Sequence, residues 1–233
     1  MYQAKARSVQ SLVLVAVCVA AVMGAVVLHL TGSEAFQPFF GPIHPVLATS
    51  ALMLLALGSL RFLDSGDWVL VDRPLIGRRR FAIPAALATA LAVPVVLVDL
   101  MGGFPEELNV LPPDSLVFYP VIALVAETVF HVVPLALLML GTRRWVAEAD
   151  HATVLVVSLI AVALPEPIYQ VVAGAGESPL WANAYVAVHL LVFNLLAVYW
   201  LRRYGFFSML SFRLVYYVWW HIAWGALRLR VLF

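Results

Sequence analysis

The stretch LVFYPVIALVAETVFHVVPLALLML, residues 116–140, decides how the chain is read. It is apolar and long enough to cross a hydrocarbon core, for which about 20 residues suffice, yet Glu127 and His131 lie near its middle. An acid at the centre of such a helix costs roughly 2.5–3.5 kcal/mol on insertion scales. Four residues apart, the two side chains share one helical face. That face has to meet protein, water or a metal ion, so the rest of the chain is expected to supply its partners.

Composition sets the class. Of the 233 residues, 64% are hydrophobic and only 12% charged, with a mean hydropathy of +0.99. A soluble domain would carry about 25% charged residues, so the chain is expected to be an all-α, polytopic transmembrane helix bundle. A net charge of +1 without a basic helix or an aromatic-interleaved basic patch gives no reason to expect a nucleic-acid partner. The lone cysteine, Cys18, excludes a disulfide framework and a thiolate metal centre. The first apolar run is too long for a signal core and lacks a small-residue cleavage site, so no cleavable leader is expected.

Working outward, the apolar windows give seven candidate spans at about 8–30, 45–63, 81–102, 116–140, 152–173, 180–201 and 207–227. Short connections rich in Gly, Pro or charge join them, and no repeat is visible, so 1–233 reads as one membrane domain. Lys5, Arg7, Arg61, Arg73, Arg78, Arg79, Arg80, Arg143, Arg144, Arg202 and Arg203 all fall on one side if every run crosses. The opposite loops hold Glu34, Glu106, Glu107, Asp114 and Glu177 and no Lys or Arg. The positive-inside rule then puts the amino terminus in the cytoplasm of a plasma (inner) membrane and the carboxyl terminus outside. Arg228 and Arg230 break the pattern unless the last run only dips into the bilayer. The 64–80 segment, with Trp68 and three consecutive arginines, is expected along the cytoplasmic interface, as a positive-inside anchor or as a binder of anionic lipid heads.

Apart from His29 and Arg61 at the ends of their windows, seven ionisable residues fall inside the windows: Asp99, Glu127, His131, Glu166, His189, Arg213 and His221. Asp99 is close enough to the outer end of its span to reach water. The others sit deeper, and a rise of about 1.5 Å per residue sorts them into two layers. Glu127, Glu166, His189 and His221 form the outer one, with His131, Arg213 and the amide of Asn194 about a turn further in. Pro165 and Pro167 flank Glu166 and are expected to break the helix there, freeing carbonyls. Arg213 at depth requires a carboxylate, and Glu127 is the natural candidate. The aromatic crowding of Tyr216, Tyr217, Trp219, Trp220 and Trp224 fits an interfacial belt.

Glu and His together in a membrane cavity suit water activation, with a carboxylate taking the proton and imidazoles binding a metal or donating to an oxyanion. A divalent metal such as zinc would take His189 and His221 with Glu127 or Glu166, leaving one position for water. The same groups also suit a proton or ion relay, or a set of buried pairs that only fixes helix register.

The hexapeptide Ala126-Glu127-Thr128-Val129-Phe130-His131, followed by Gly141-Thr142-Arg143-Arg144, resembles the first motif of the CPBP family, the CAAX-prenyl endopeptidase and bacteriocin-processing membrane proteins. That motif is Glu-Glu-x-x-x-Arg in a helix before a basic loop. Ser158 to Glu166 occupies the place of the family's Phe-x-x-x-His helix, Arg202-Arg203-Tyr204-Gly205 that of its basic-Gly turn, and Arg213 to Tyr217 that of its His-x-x-x-Asn/Asp motif. The likeness covers 116–225, leaving 1–115 as three additional spans. Only Glu127 matches a family catalytic position; Ala126 and His131 stand where the family has Glu and Arg, Pro165 or Glu166 where it has the second-motif His, and Arg213 where it has the last His.

The resemblance implies an intramembrane endopeptidase that cleaves a membrane-embedded peptide or protein by glutamate-activated water. Glu127 would be the base, Glu166, His131 and Arg213 its companions, and His189 and His221 the metal ligands or oxyanion donors. The alternative is a catalytically inactive relative, a membrane subunit that binds a partner helix. The two readings differ in geometry: a wet site shared by Glu127, His189 and His221 favours the enzyme, whereas Glu127 locked dry against Arg213 favours the inactive relative.

Overall fold

The computed structural model describes residues 2–71, 77–146, 151–174 and 176–233, with the side chains of 2–9 and 143–146 left aside. Lys5, Arg7, Arg73, Arg143 and Arg144, on which part of the topology reading rests, lie outside the described side chains. The described chain is built of helices joined by turns and loops: α1 (Tyr2–Leu30), α2 (Gln37–Phe40), α3 (Pro45–Ser65), α4 (Arg79–Leu100), α5 (Ser115–Ala126), α6 (Val133–Val146), α7 (His151–Val162), α8 (Pro165–Ala173), α9 (Leu180–Tyr204), α10 (Phe206–Tyr217) and α11 (Gly225–Val231). Turns of π-helix join α5 to α6 at Glu127–Val132 and α10 to α11 at Val218–Trp224.

Six segments are long and apolar enough to span a membrane: Gln10–Leu30, Pro45–Ser65, Arg79–Leu100, Ser115–Thr142, His151–Ala173 and Leu180–Tyr204. They coincide with the first six windows read from the sequence. The seventh window is also helical, from 206 to 231, but Arg213, His221 and Arg228 leave it less apolar than the other six. The protein is an all-α polytopic bundle.

The quoted stretch is the axis of that bundle. The Ser115–Thr142 span has 67% of its apolar window buried, against 28–39% for the other five. α5 packs on α1 and α10, its π turn on α3 and α7, and α6 on α3 and α7. Gly24 of α1 makes one of these approaches possible, since a Cβ there would lie 2.7 Å from Cγ2 of Val121; small residues let membrane helices pack backbone to backbone.

Prolines write the irregularities. Pro134 has no N–H to offer the carbonyl of Phe130, and just before it the ladder widens, so that the N–H of Val133 reaches back five residues to Thr128. The Thr128 hydroxyl turns back to donate to the carbonyl of Leu124 at 2.7 Å. Pro167 likewise withholds its N–H from the carbonyl of Ala163. The fifth span breaks there, between α7 and α8, and Asn194 of α9 donates its amide to Ala163 O at 3.3 Å. The break anticipated at Pro165-Glu166-Pro167 is therefore present, and a neighbouring helix takes the freed carbonyl.

One sequence expectation is corrected. Asp99 does not reach water: it is fully buried and accepts from Arg228 Nε and Nη2 at 2.7 and 2.8 Å and from Trp224 Nε1 at 2.6 Å. Arg228 therefore breaks the positive-inside pattern because it is a buried partner, also donating to the carbonyls of Pro105 and Glu106 at 2.9 and 2.7 Å. Trp224, which is partly buried, adds its indole N–H to this pair. The described part of the 64–80 segment packs against the bundle at the start of α10. Val69 and Val71 are buried, and the carbonyls of Leu70 and Val71 accept from the N–H groups of Phe206 and Phe207, at the otherwise unsatisfied first turn of α10. Residues 72–76 of that segment lie outside the described residues.

Removing one member of a buried ion pair leaves the other uncompensated, at a cost of about 3–5 kcal/mol. Asp99→Ala is expected to destabilise the detergent-solubilised protein by that amount in a denaturation series, while Leu12→Ala on an exposed face changes it little.

Candidate functional site

Four ionisable residues of the last four spans, Glu127, His131, Glu166 and Arg213, gather in one cluster centred on the arginine. Arg213, from the middle of α10, is 1% exposed and donates from all three of its nitrogens. Nε meets Glu127 Oε1 at 2.6 Å, while Nη1 and Nη2 meet Glu166 Oε1 and Oε2, each at 2.7 Å. The second contact is the bidentate fork that makes arginine the strong partner of a carboxylate. Longer contacts run from Nη2 to Asn194 Oδ1 at 3.4 Å and from Nη1 to the Tyr217 hydroxyl at 3.3 Å. The guanidinium also lies over the Phe193 ring, 5.0 Å from its centroid, a cation–π contact that gains strength away from water.

Each carboxylate is placed by one of the irregularities described above. Glu127 is the first residue of the π turn, and the turn holds His131 on the same face with Nδ1 2.7 Å from Glu127 Oε2. The distance is that of an ion pair, but the two atoms are not aligned for a regular hydrogen bond, and His131 Nε2 has no hydrogen-bond partner among the described residues. Glu166 stands in the first turn of α8, where the proline break redirects the chain. Glu127 and His131 are wholly buried and Glu166 is 3% exposed. Two carboxylates face one guanidinium and one imidazole, a set whose formal charges cancel when the imidazole carries a proton.

His189 and His221 are not part of this group. His189 lies between two tyrosines, with Nδ1 3.0 Å from the Tyr185 hydroxyl and Nε2 2.9 Å from that of Tyr216. His221, on the second π turn, has Nδ1 2.7 Å from Asn109 Oδ1 and stacks on Tyr119 at 4.6 Å between centroids. Both nitrogens of His189 and one of His221 are thus committed to neutral partners. Among the described residues no three His, Cys, Asp or Glu side chains gather as a metal-holding group.

Of the six residues singled out in the sequence, Glu127, His131, Glu166 and Arg213 come together, whereas His189 and His221 stand apart with separate partners. The two depth layers are merged, since the long arginine side chain climbs from the inner layer to the outer carboxylates. Tyr185, Asn109 and Tyr119 went unnoticed, and Tyr216 was read only as part of the aromatic crowding of the last span. Tyr185 had a readable signal, four residues before His189 on the same helix; Asn109 lies in a loop and had none.

Compared with protein-family models, with curated proteins and with solved structures, the chain matches none of them. The site therefore has to be judged on its own geometry.

Arg213→Met would leave two buried carboxylates facing each other without a cation. The expected loss is at the top of the range of about 3–5 kcal/mol for breaking a buried pair, read as a lower denaturation midpoint. Arg213→Lys is expected to recover only part of it, because an ammonium cannot fork onto Glu166 while holding Glu127.

Proposed function

We propose that this chain is a catalytically inactive, CPBP-like membrane protein, a subunit that holds a partner helix and cleaves nothing. The observation that carries this reading is the state of Glu127: one oxygen is 2.6 Å from Arg213, the other 2.7 Å from His131, and the residue has no exposed surface. A general base has to reach the water whose proton it takes, and Glu127 is buried, with Oε1 hydrogen-bonded to Arg213 and Oε2 facing His131 without a regular hydrogen-bond partner among the described residues. The positions where the CPBP resemblance expects histidines hold Pro165 or Glu166, and Arg213, and Glu166 pairs with Arg213.

The partner-binding half of the proposal is supported by the first three spans, each with only 28% of its apolar window buried. Gly58 lies on an exposed part of α3 with open space where a side chain would be, the kind of position at which a second membrane helix approaches closely. The orientation proposed with it, amino terminus in the cytoplasm of the plasma (inner) membrane, is supported by the basic residues at one end of the spans and the acidic ones at the other.

The endopeptidase reading retains one observation in its favour. Glu127 and His131 share a π turn, a feature frequent at functional sites, and His131 Nε2 has no partner among the described residues. In that reading Arg213 and Glu166 would position the dyad, and His189 and His221 would have to leave their present partners to ligate zinc. Proteoliposomes carrying full-length protein and a membrane-anchored fluorogenic peptide separate the two readings. Equal, background-level release from wild type and Glu127→Ala is expected; release by wild type that Glu127→Ala abolishes would overturn the inactive reading.

A further inference from the structure

At the end of the bundle that carries the arginines, α1 and α4 do not pack along one another. α1 leans on α3 and α5, and α4 on α10 and α9. Between them a groove of about 440 Å³ opens, with α10 as its floor, a size within the range of small-ligand sites, about 300–1,000 Å³. Val13 and Val17 line one wall, Phe81 the other, and Leu210 and Leu214 the floor, while Arg80 stands at the start of α4 with its guanidinium 4.7 Å from the Phe81 ring centroid. Val13 and Phe81 are 45% and 37% exposed, so the groove faces the surroundings of the bundle and not its core.

The charge around this opening has one dominant sign. Arg78 and Arg79 are exposed beside Arg80, and Arg202 and Arg203 are exposed at the end of α9, just before α10 begins. Among the described residues at this end only Asp64 and Asp67 oppose them. An apolar slot running into the hydrocarbon region with a guanidinium at its interfacial mouth matches one class of molecule, an acyl chain carrying an anionic headgroup. Basic pockets between membrane helices on the cytoplasmic side bind such headgroups.

We infer that the groove between α1, α4 and α10 is a binding site for one anionic phospholipid, with an acyl chain against Val13, Val17 and Leu214 and its phosphate at Arg80. The inference does not depend on whether the ion cluster is catalytic, since the groove shares no residue with it. The arginine run then does more than set topology: Arg80 fixes the position of one lipid against the amino-terminal span.

The test uses full-length protein, delipidated in detergent and titrated with phosphatidylglycerol or phosphatidylcholine under native mass spectrometry. One tightly retained phosphatidylglycerol is expected, with phosphatidylcholine retained less. Arg80→Gln is expected to weaken retention about fivefold, the scale of one arginine's attraction to an anionic surface. Val13→Trp keeps the charge and fills the groove, and a loss of similar size is expected there, whereas Arg203→Gln leaves retention unchanged. Circular dichroism confirms folding of each variant, and Val13→Trp remains informative if Arg80→Gln does not fold. Equal retention of both lipids, equal loss in Arg80→Gln and Arg203→Gln, or full retention in Val13→Trp would overturn the inference. So would displacement by inorganic phosphate alone, which would indicate an anion site without an acyl component.

Discussion

One guanidinium holds the centre of this protein together. Arg213 joins Glu127 of the fourth span, Glu166 at the break of the fifth and Asn194 of the sixth to its own helix, within an almost fully buried cluster. Charges taken out of water are costly, and only close, well-directed pairing offsets that cost. Each helix in the cluster is therefore fixed in depth and rotation: a one-residue slip of any of them would leave a buried charge without its partner. The π turn and the proline break are the means by which two carboxylates reach the same arginine from helices that would otherwise aim them elsewhere.

A second buried pair repeats the principle nearer the other end of the bundle. Asp99 of α4 and Arg228 of α11 clamp the last helix to the third span and hold the 104–106 backbone through its carbonyls. Between them the two arginines explain why the final helix can be poorer in apolar residues than the other six segments and still stay inside the bundle. Its two buried arginines are paired with protein carboxylates.

The sequence made the fold legible because apolar run length is a direct consequence of bilayer thickness. The first six windows matched the observed spans within a few residues, and the proline-flanked break at Glu166 was visible because proline lacks a donor whatever surrounds it. The pairing of Arg213 with Glu127 was equally readable, since an arginine at that depth has few possible partners. The second half of the fork was not. Depth along the helix axis says nothing of side-chain reach, so Glu166 and Arg213 appeared to belong to different layers. His189 and His221 were grouped with the carboxylates for the same reason: matched depth does not fix the direction a residue faces. Asp99 was misread because its distance from the span end ignored Arg228, more than a hundred residues away.

A carboxylate that activates water needs an oxygen that can reach it, and a register device needs its oxygens held by protein. Glu127 is wholly buried, with Oε1 hydrogen-bonded to Arg213 and Oε2 2.7 Å from His131 without a regular hydrogen bond among the described residues, and the register role proposed above rests on that arrangement. The most direct measurement of this account is a double-mutant cycle between Arg213→Met and the pair Glu127→Gln with Glu166→Leu, scored by unfolding free energy in bilayers or micelles. Strong coupling is predicted, with the combined variant recovering most of the stability that Arg213→Met loses, because no unpaired charge remains. Simple additivity of the two losses would contradict it, since the arginine would then not be neutralising these carboxylates.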